Sequence, residues 1–84
     1  MNDAAILETL TDIFRDVFDN DSVVITTESS ASDFAEWDSL SNINLMVATE
    51  MHFGIRFKTS EVEGLKNVGE LIALIRKHLD AKAK

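Results

Sequence analysis

Cysteine is absent from these 84 residues, which removes a disulfide framework, a thiolate metal site and a thiol nucleophile together. Long apolar runs are absent too: no stretch approaches the ~20 residues that a membrane helix needs. Met1-Asn2-Asp3 begins acidic where a secretory signal begins basic. The expectation is a cytoplasmic protein with no place in a membrane. Basic residues are scarce in the first half. Residues 1–42 hold ten acids against Arg15 alone, a balance of −9, while residues 43–84 hold five acids and seven bases, +2. The total of −7 argues against nucleic acid, whose phosphates would be repelled, and favours basic protein partners. Repeats and low-complexity segments are also missing.

What is present is enough apolar material, 45% of residues, for one core. A chain of this length buries only about 60–65% of its unfolded surface and supports a single domain, residues 1–84. Ile6, Leu10, Ile13, Phe14 and Val17 recur at helical spacing between Asp3 and Phe18, with Asp12, Arg15 and Asp16 off that stripe. Asn2 or Asp3 can cap this first helix. Residues 19–37 have no sustained period and read as a long loop or one hiding a short helical turn. Val23, Val24, Ile25, Ala31, Phe34 and Trp37 are expected to pin it to the core. A second helix is predicted from Ser39 to His52, with Leu40, Ile43, Val47 and Met51 along one face and Leu45 and Met46 outside it. That second apolar surface must meet another element, a ligand or a partner. Gly54 can end the helix in a left-handed conformation. A brief third helix, Glu61 to Leu65, is capped by Thr59 or Ser60. A last helix runs from Val68 to Leu79 with Leu71, Ile72, Ile75 and Leu79 inward, and the tail Ala81–Lys84 frays. The fold class is all-α, an irregular bundle of three main helices and one short one with a long first connection.

Several chemistries fail on spacing. A calcium loop starting at Asp19 would place Val24 at its sixth position and Ser30 at its twelfth, where glycine and a bidentate glutamate are required. His52 and His78 lack a ligand pattern, so no metal is expected. As cations near helix ends both are already accounted for. A serine hydrolase would need a base for Ser39. His52 lies about 20 Å along the same predicted helix and no Gly-x-Ser-x-Gly elbow exists; spacing does not rule out His78, but so small a helical bundle offers little pocket volume. Gly54 and Gly64 are helix stops and not a phosphate loop. The protein is therefore not read as an enzyme.

Trp37-Asp38-Ser39-Leu40 remains. Asp and Ser are common helix caps, and a hydroxyl at a helix start can also carry an anion, because the first N–H groups lack acceptors and the dipole is positive there. Local sequence leaves both roles open. It also leaves open a helical interaction module with no prosthetic group, which explains the charge but gives Ser39 no role.

The order of helix, long acidic loop, Asp38-Ser39-Leu40, second helix, short third helix and fourth helix resembles the acyl carrier proteins over essentially the whole chain. Its most specific stretch runs from Trp37 to Ile55, closing on Glu50-Met51-His52-Phe53-Gly54-Ile55. The resemblance implies that a phosphopantetheinyl transferase moves 4′-phosphopantetheine from coenzyme A onto Ser39. The arm's thiol, which the chain itself lacks, then carries an acyl group as a thioester. An acyl ligase or acyltransferase would load it, and downstream synthase enzymes of fatty acid, polyketide or related biosynthesis would use it. The carrier is expected to be monomeric. Leu45 and Phe34 could face a sheltered acyl chain, although ordinary core packing is the better explanation of them. The family's second helix is typically acidic. Here Ser41, Asn44 and Met51 stand where acids are expected, leaving Asp38 and Glu50. Partner recognition is accordingly expected to rest on Asp38, Leu40, Met46, Glu50 and Glu61, with weaker electrostatic steering and a dedicated pathway. Trp37 replaces the small residue common before Asp-Ser. Glu36-Trp37 occupies the place of the Gly-Gly usual in peptidyl carriers, the subtype alternative.

Overall fold

The computed structural model describes residues 2–82, and Ser39 by its backbone alone. Four α-helices follow in order: α1, Asp3–Phe18; α2, Ser39–Phe53; α3, Thr59–Glu63; and α4, Val68–Lys82. A 3-10 turn at Ala31–Asp33 interrupts the long first loop. No strand occurs among the described residues. Val23 and Ile25 are buried while Val24 between them is exposed, so the strand-like run acts as two pegs.

α1 forms where its periodicity predicts. Asn2 caps it by accepting the Ala5 N–H at 2.8 Å, and Asp19 ends it in the left-handed region at φ 51°. Ile6, Leu10, Ile13 and Phe14 are buried and meet Leu71, Ile72 and Ile75 of α4 in one cluster, with Leu45 and Met46 of α2. The loop is fastened at both ends. Arg15 Nε donates to the Val23 carbonyl at 2.8 Å, and Phe14, Phe18, Phe34 and Trp37 form a chain of edge-on and tilted rings, Phe14 to Trp37 at 5.0 Å. Each such pair adds about 0.5–1.5 kcal/mol beyond area burial. Ala31, expected as a further peg, is exposed.

The loop also serves α4. The Ser29 and Thr27 carbonyls accept the N–H groups of Val68 and Gly69, both at 2.8 Å, satisfying donors that a helix start leaves unpaired. A Cβ at Gly69 would lie 2.9 Å from the Thr27 carbonyl oxygen, so glycine permits this contact. Asn67 caps the same helix, accepting the Glu70 N–H at 2.9 Å.

Three expectations are corrected. α3 begins at Thr59, two residues early, because Glu61 reaches back to the Lys58 N–H at 2.9 Å in place of a Thr59 or Ser60 cap. α4 continues through Ala81 and Lys82, and Lys82 Nζ donates to the Gly54 carbonyl at 3.1 Å; Ala83 and Lys84 lie outside the described residues. The largest change concerns α2. Leu45 and Met46, set outside its apolar stripe by spacing, enter the core with Thr49 and Phe53, whereas Leu40, Ile43, Val47 and Met51 face outward. Buried Thr49 tolerates that position by donating its hydroxyl to the Leu45 carbonyl at 2.7 Å.

Candidate functional site

Asp38 stops the loop and starts α2. Its carboxylate accepts the Ser41 N–H at 2.8 Å, and its carbonyl accepts the Asn42 N–H at 2.8 Å. The Ser41 N–H donated to it holds the Asp38 carboxyl below the usual carboxylate range, so it stays ionised at neutral pH. Ser39 is the first residue of the helix that follows. Trp37 is locked one step earlier, with its indole N–H on Asn42 Oδ1 at 3.0 Å and its ring against Phe14. Serine, cap and aromatic anchor thus follow one another at the corner between loop and helix.

Beside this corner lies an open groove of about 420 Å³, lined among others by Trp37, Asp38, Asn42, Met46, Val62 and Leu65. It runs toward α3 and the start of α4. A second groove, about 540 Å³, follows α2 past Ile43, Val47, Phe57 and Val62.

The outward face of α2 is apolar. Leu40, Ile43, Val47 and Met51 are 69%, 59%, 47% and 79% exposed, beginning at the residue after Ser39. The acids expected to share this face are engaged within the fold. Glu50 accepts the Phe57 N–H at 2.8 Å and sets the course of the chain after α2. Glu61 accepts from Lys58, contacts His78 Nε2 at 3.2 Å and lies 3.8 Å from Lys77 Nζ. The Lys58 N–H, His78 and Lys77 hold its carboxyl below the ordinary range. Met46, expected at the partner surface, is 6% exposed and belongs to the core, reaching the grooves only as lining. The sequence signal for the true outer face was the uncharged 40-43-47-51 spacing itself, which defines a face without saying which way it turns. Phe34 and Leu45 are likewise packing residues: Leu45 is fully buried and Phe34 stacks on Phe18 and Trp37. His78 is bound to Glu61 and edge-on to Phe57. No group of three or more metal-ligating side chains occurs among the described residues. No described helix is long and apolar enough to cross a membrane.

A helix start that favours an anion, next to a groove and in a chain without its own thiol, is suited to a phosphate-linked arm. Residues 8–75 match the family model described as a phosphopantetheine attachment site, which defines the domain as one that takes this prosthetic group. The chain belongs to the acyl carrier protein family. It is 36% identical over 70 residues to the acyl carrier protein of Acidothermus cellulolyticus, covering 83% of each chain. With the meromycolate extension acyl carrier protein of Mycolicibacterium aurum it shares 32% over 72 residues, 86% of this chain and 74% of that one. The solution structure of the holo acyl carrier protein from Geobacter metallireducens superposes with a TM-score of 0.86 at 52% identity, covering 92% of this chain and 88% of that one.

Proposed function

We propose that Ser39 is the attachment point of 4′-phosphopantetheine, and that the chain presents acyl groups as thioesters to enzymes of fatty acid, polyketide or related biosynthesis. The observation that carries this is the place of Ser39 as the first residue of α2, directly after the Asp38 cap and beside the groove that Asp38 lines. A phosphodiester there gains from the helix dipole. When bound, the arm supplies the thiol that the sequence lacks. In loading by a phosphopantetheinyl transferase, the Ser39 hydroxyl oxygen bonds to the β-phosphorus of coenzyme A and the pyrophosphate P–O bond breaks. Adenosine 3′,5′-bisphosphate leaves, and the hydroxyl proton passes to the transferase. The chain contributes no catalytic group; it tethers the cargo and raises its effective concentration at each docked enzyme.

Docking is assigned to Leu40, Ile43, Val47 and Met51. An enzyme that receives an arm from Ser39 covers the stripe that begins at the next residue, and the complementary surface is uncharged and apolar around its active-site entrance. Asp38 remains at the rim, while Glu50 and Glu61 act by holding the chain that frames the face. The transferase, a loading ligase or acyltransferase, and a synthase are the partner classes. The working form is a cytoplasmic monomer, with self-association opposed by a net charge of −7.

Incubation with coenzyme A and a promiscuous phosphopantetheinyl transferase tests the assignment by intact mass. The wild type is expected to gain one phosphopantetheine and Ser39→Ala none. An unmodified wild type beside a modified control carrier overturns the reading.

A further inference from the structure

Two asparagines in the groove beside Ser39 have their amides oriented by the fold. Asn42 Oδ1 accepts the Trp37 indole N–H at 3.0 Å, and Asn67 Oδ1 accepts the Glu70 backbone N–H at 2.9 Å. Both partners are donors only, so each amide must turn its oxygen to the partner and its NH2 away. None of the hydrogen bonds among the described residues uses either NH2 group. Both residues line the same groove, whose apolar lining comes from Met46, Val62, Leu65 and Leu71. What both asparagines offer an occupant is a pair of unused amide N–H donors, beside an oxygen already engaged. Charge sets one limit: Asp38 and Glu63 outnumber Lys66 around the groove, so its rim is negative and disfavours an anionic occupant.

We infer that this groove discriminates among acyl chains, favouring those with a carbonyl or hydroxyl oxygen near the thioester over fully reduced chains of the same length. Asn42 and Asn67 are the specificity-determining donors. The inference rests on the carrier reading of Ser39. A saturated chain entering the groove brings only its thioester carbonyl to two amide donors and leaves one unpaired, which costs desolvation; a second oxygen satisfies both. The preference is for neutral oxygen, because two carboxylates against one lysine leave the rim negative.

The test loads the protein from octanoyl-coenzyme A and from 3-oxooctanoyl-coenzyme A by phosphopantetheinyl transfer. Thioester cleavage by hydroxylamine is then timed against the same acyl-pantetheine free in solution. The wild type is expected to protect the 3-oxo chain about fivefold more than the octanoyl chain. Asn42→Asp and Asn67→Asp keep the oxygens that accept from Trp37 and Glu70, remove the NH2 donors and put a carboxylate oxygen in their place. Each is expected to lower protection of the 3-oxo chain about threefold and that of the octanoyl chain by less. Equal protection of the two chains by wild type, or equal loss for both in the variants, overturns the inference. Should a variant fail to fold, the side-chain amide resonances of Asn42 and Asn67 in the wild type decide. They must shift more with the 3-oxo chain than with the octanoyl chain, and equal shifts overturn the proposal. Failure of wild type to load from either donor overturns the carrier reading itself, whereas loading without discrimination removes this inference alone.

Discussion

Met46 and Met51 lie five positions apart on α2 and meet opposite environments, 6% and 79% exposed. Met46→Glu would bury a carboxylate among Leu45, Leu71 and Val62 with no partner. A loss of about 3 kcal/mol or more is expected in urea unfolding, since an unpaired buried charge is among the few changes that cost so much. Met51→Glu, on an open helix face, is expected to stay within about 0.5 kcal/mol of wild type. Reversal of that order would contradict the orientation of α2. Spacing alone placed these two methionines the wrong way round. The 40-43-47-51 set has the steps of a buried stripe, and the residues that take its place in the core include a threonine. Thr49 reads as polar in sequence, but in the helix its hydroxyl is consumed by the Leu45 carbonyl. Ser39, by contrast, was legible through the resemblance of the whole chain to a carrier, since the local Asp-Ser pair left cap and anion roles open; that Asp38 takes the cap is visible only in the structure.

α3 has five residues, too few to hold itself together as an isolated helix. It persists because Glu61 ties its start to Lys58 and its side to His78 and Lys77 on α4, while Val62 packs on the core. The Glu61 carboxyl is held below its ordinary value, so its contribution to stability is fully present above the unfolded carboxylate pKa of about 4. It is lost as pH falls through the depressed folded value. Thermal unfolding followed by Trp37 fluorescence is therefore expected to show a falling midpoint below about pH 4, with a shallower fall in Glu61→Gln. Identical acid limbs would remove Glu61 as the tether. Such ties explain where element prediction succeeded and failed. α1 and α4 separate apolar from charged residues cleanly, so their extents were readable to within a turn. α3 depends on a carboxylate reaching back to Lys58 and across to another helix. No local pattern encodes that contact, and the predicted start was late. The first loop was readable as long and as pegged by Val23, Ile25, Phe34 and Trp37. Its service to α4 through the Thr27 and Ser29 carbonyls involves backbone groups that carry no sequence signature.

At the scale of the molecule, charge and the proposed docking stripe occupy different faces. Glu8, Asp12 and Asp16 are exposed on α1, and Asp19, Asp21, Glu28, Asp33 and Glu36 are exposed along the loop, whereas the outer stripe of α2 holds no charge. On the docking proposal, the negative half that sequence reveals so plainly opposes self-association and attracts basic surfaces at long range, while the contact beside Ser39 is left to the apolar stripe. Long-range attraction is screened within about 10 Å at 0.1 M salt, while apolar contact is not. The apparent KM for the carrier in phosphopantetheine transfer is accordingly expected to change less than about twofold between roughly 0.05 and 0.5 M salt. Val47→Glu places a charge at the centre of the stripe and is expected to raise that KM about tenfold while leaving thermal stability near wild type, as for a central residue of an interface. A steep salt dependence in the wild type together with an indifferent Val47→Glu would move docking to the acidic loop. Salt tolerance together with sensitivity at Val47 would mean that partners are chosen by the shape of an apolar face, which few enzymes match, and not by a charge that many basic surfaces share.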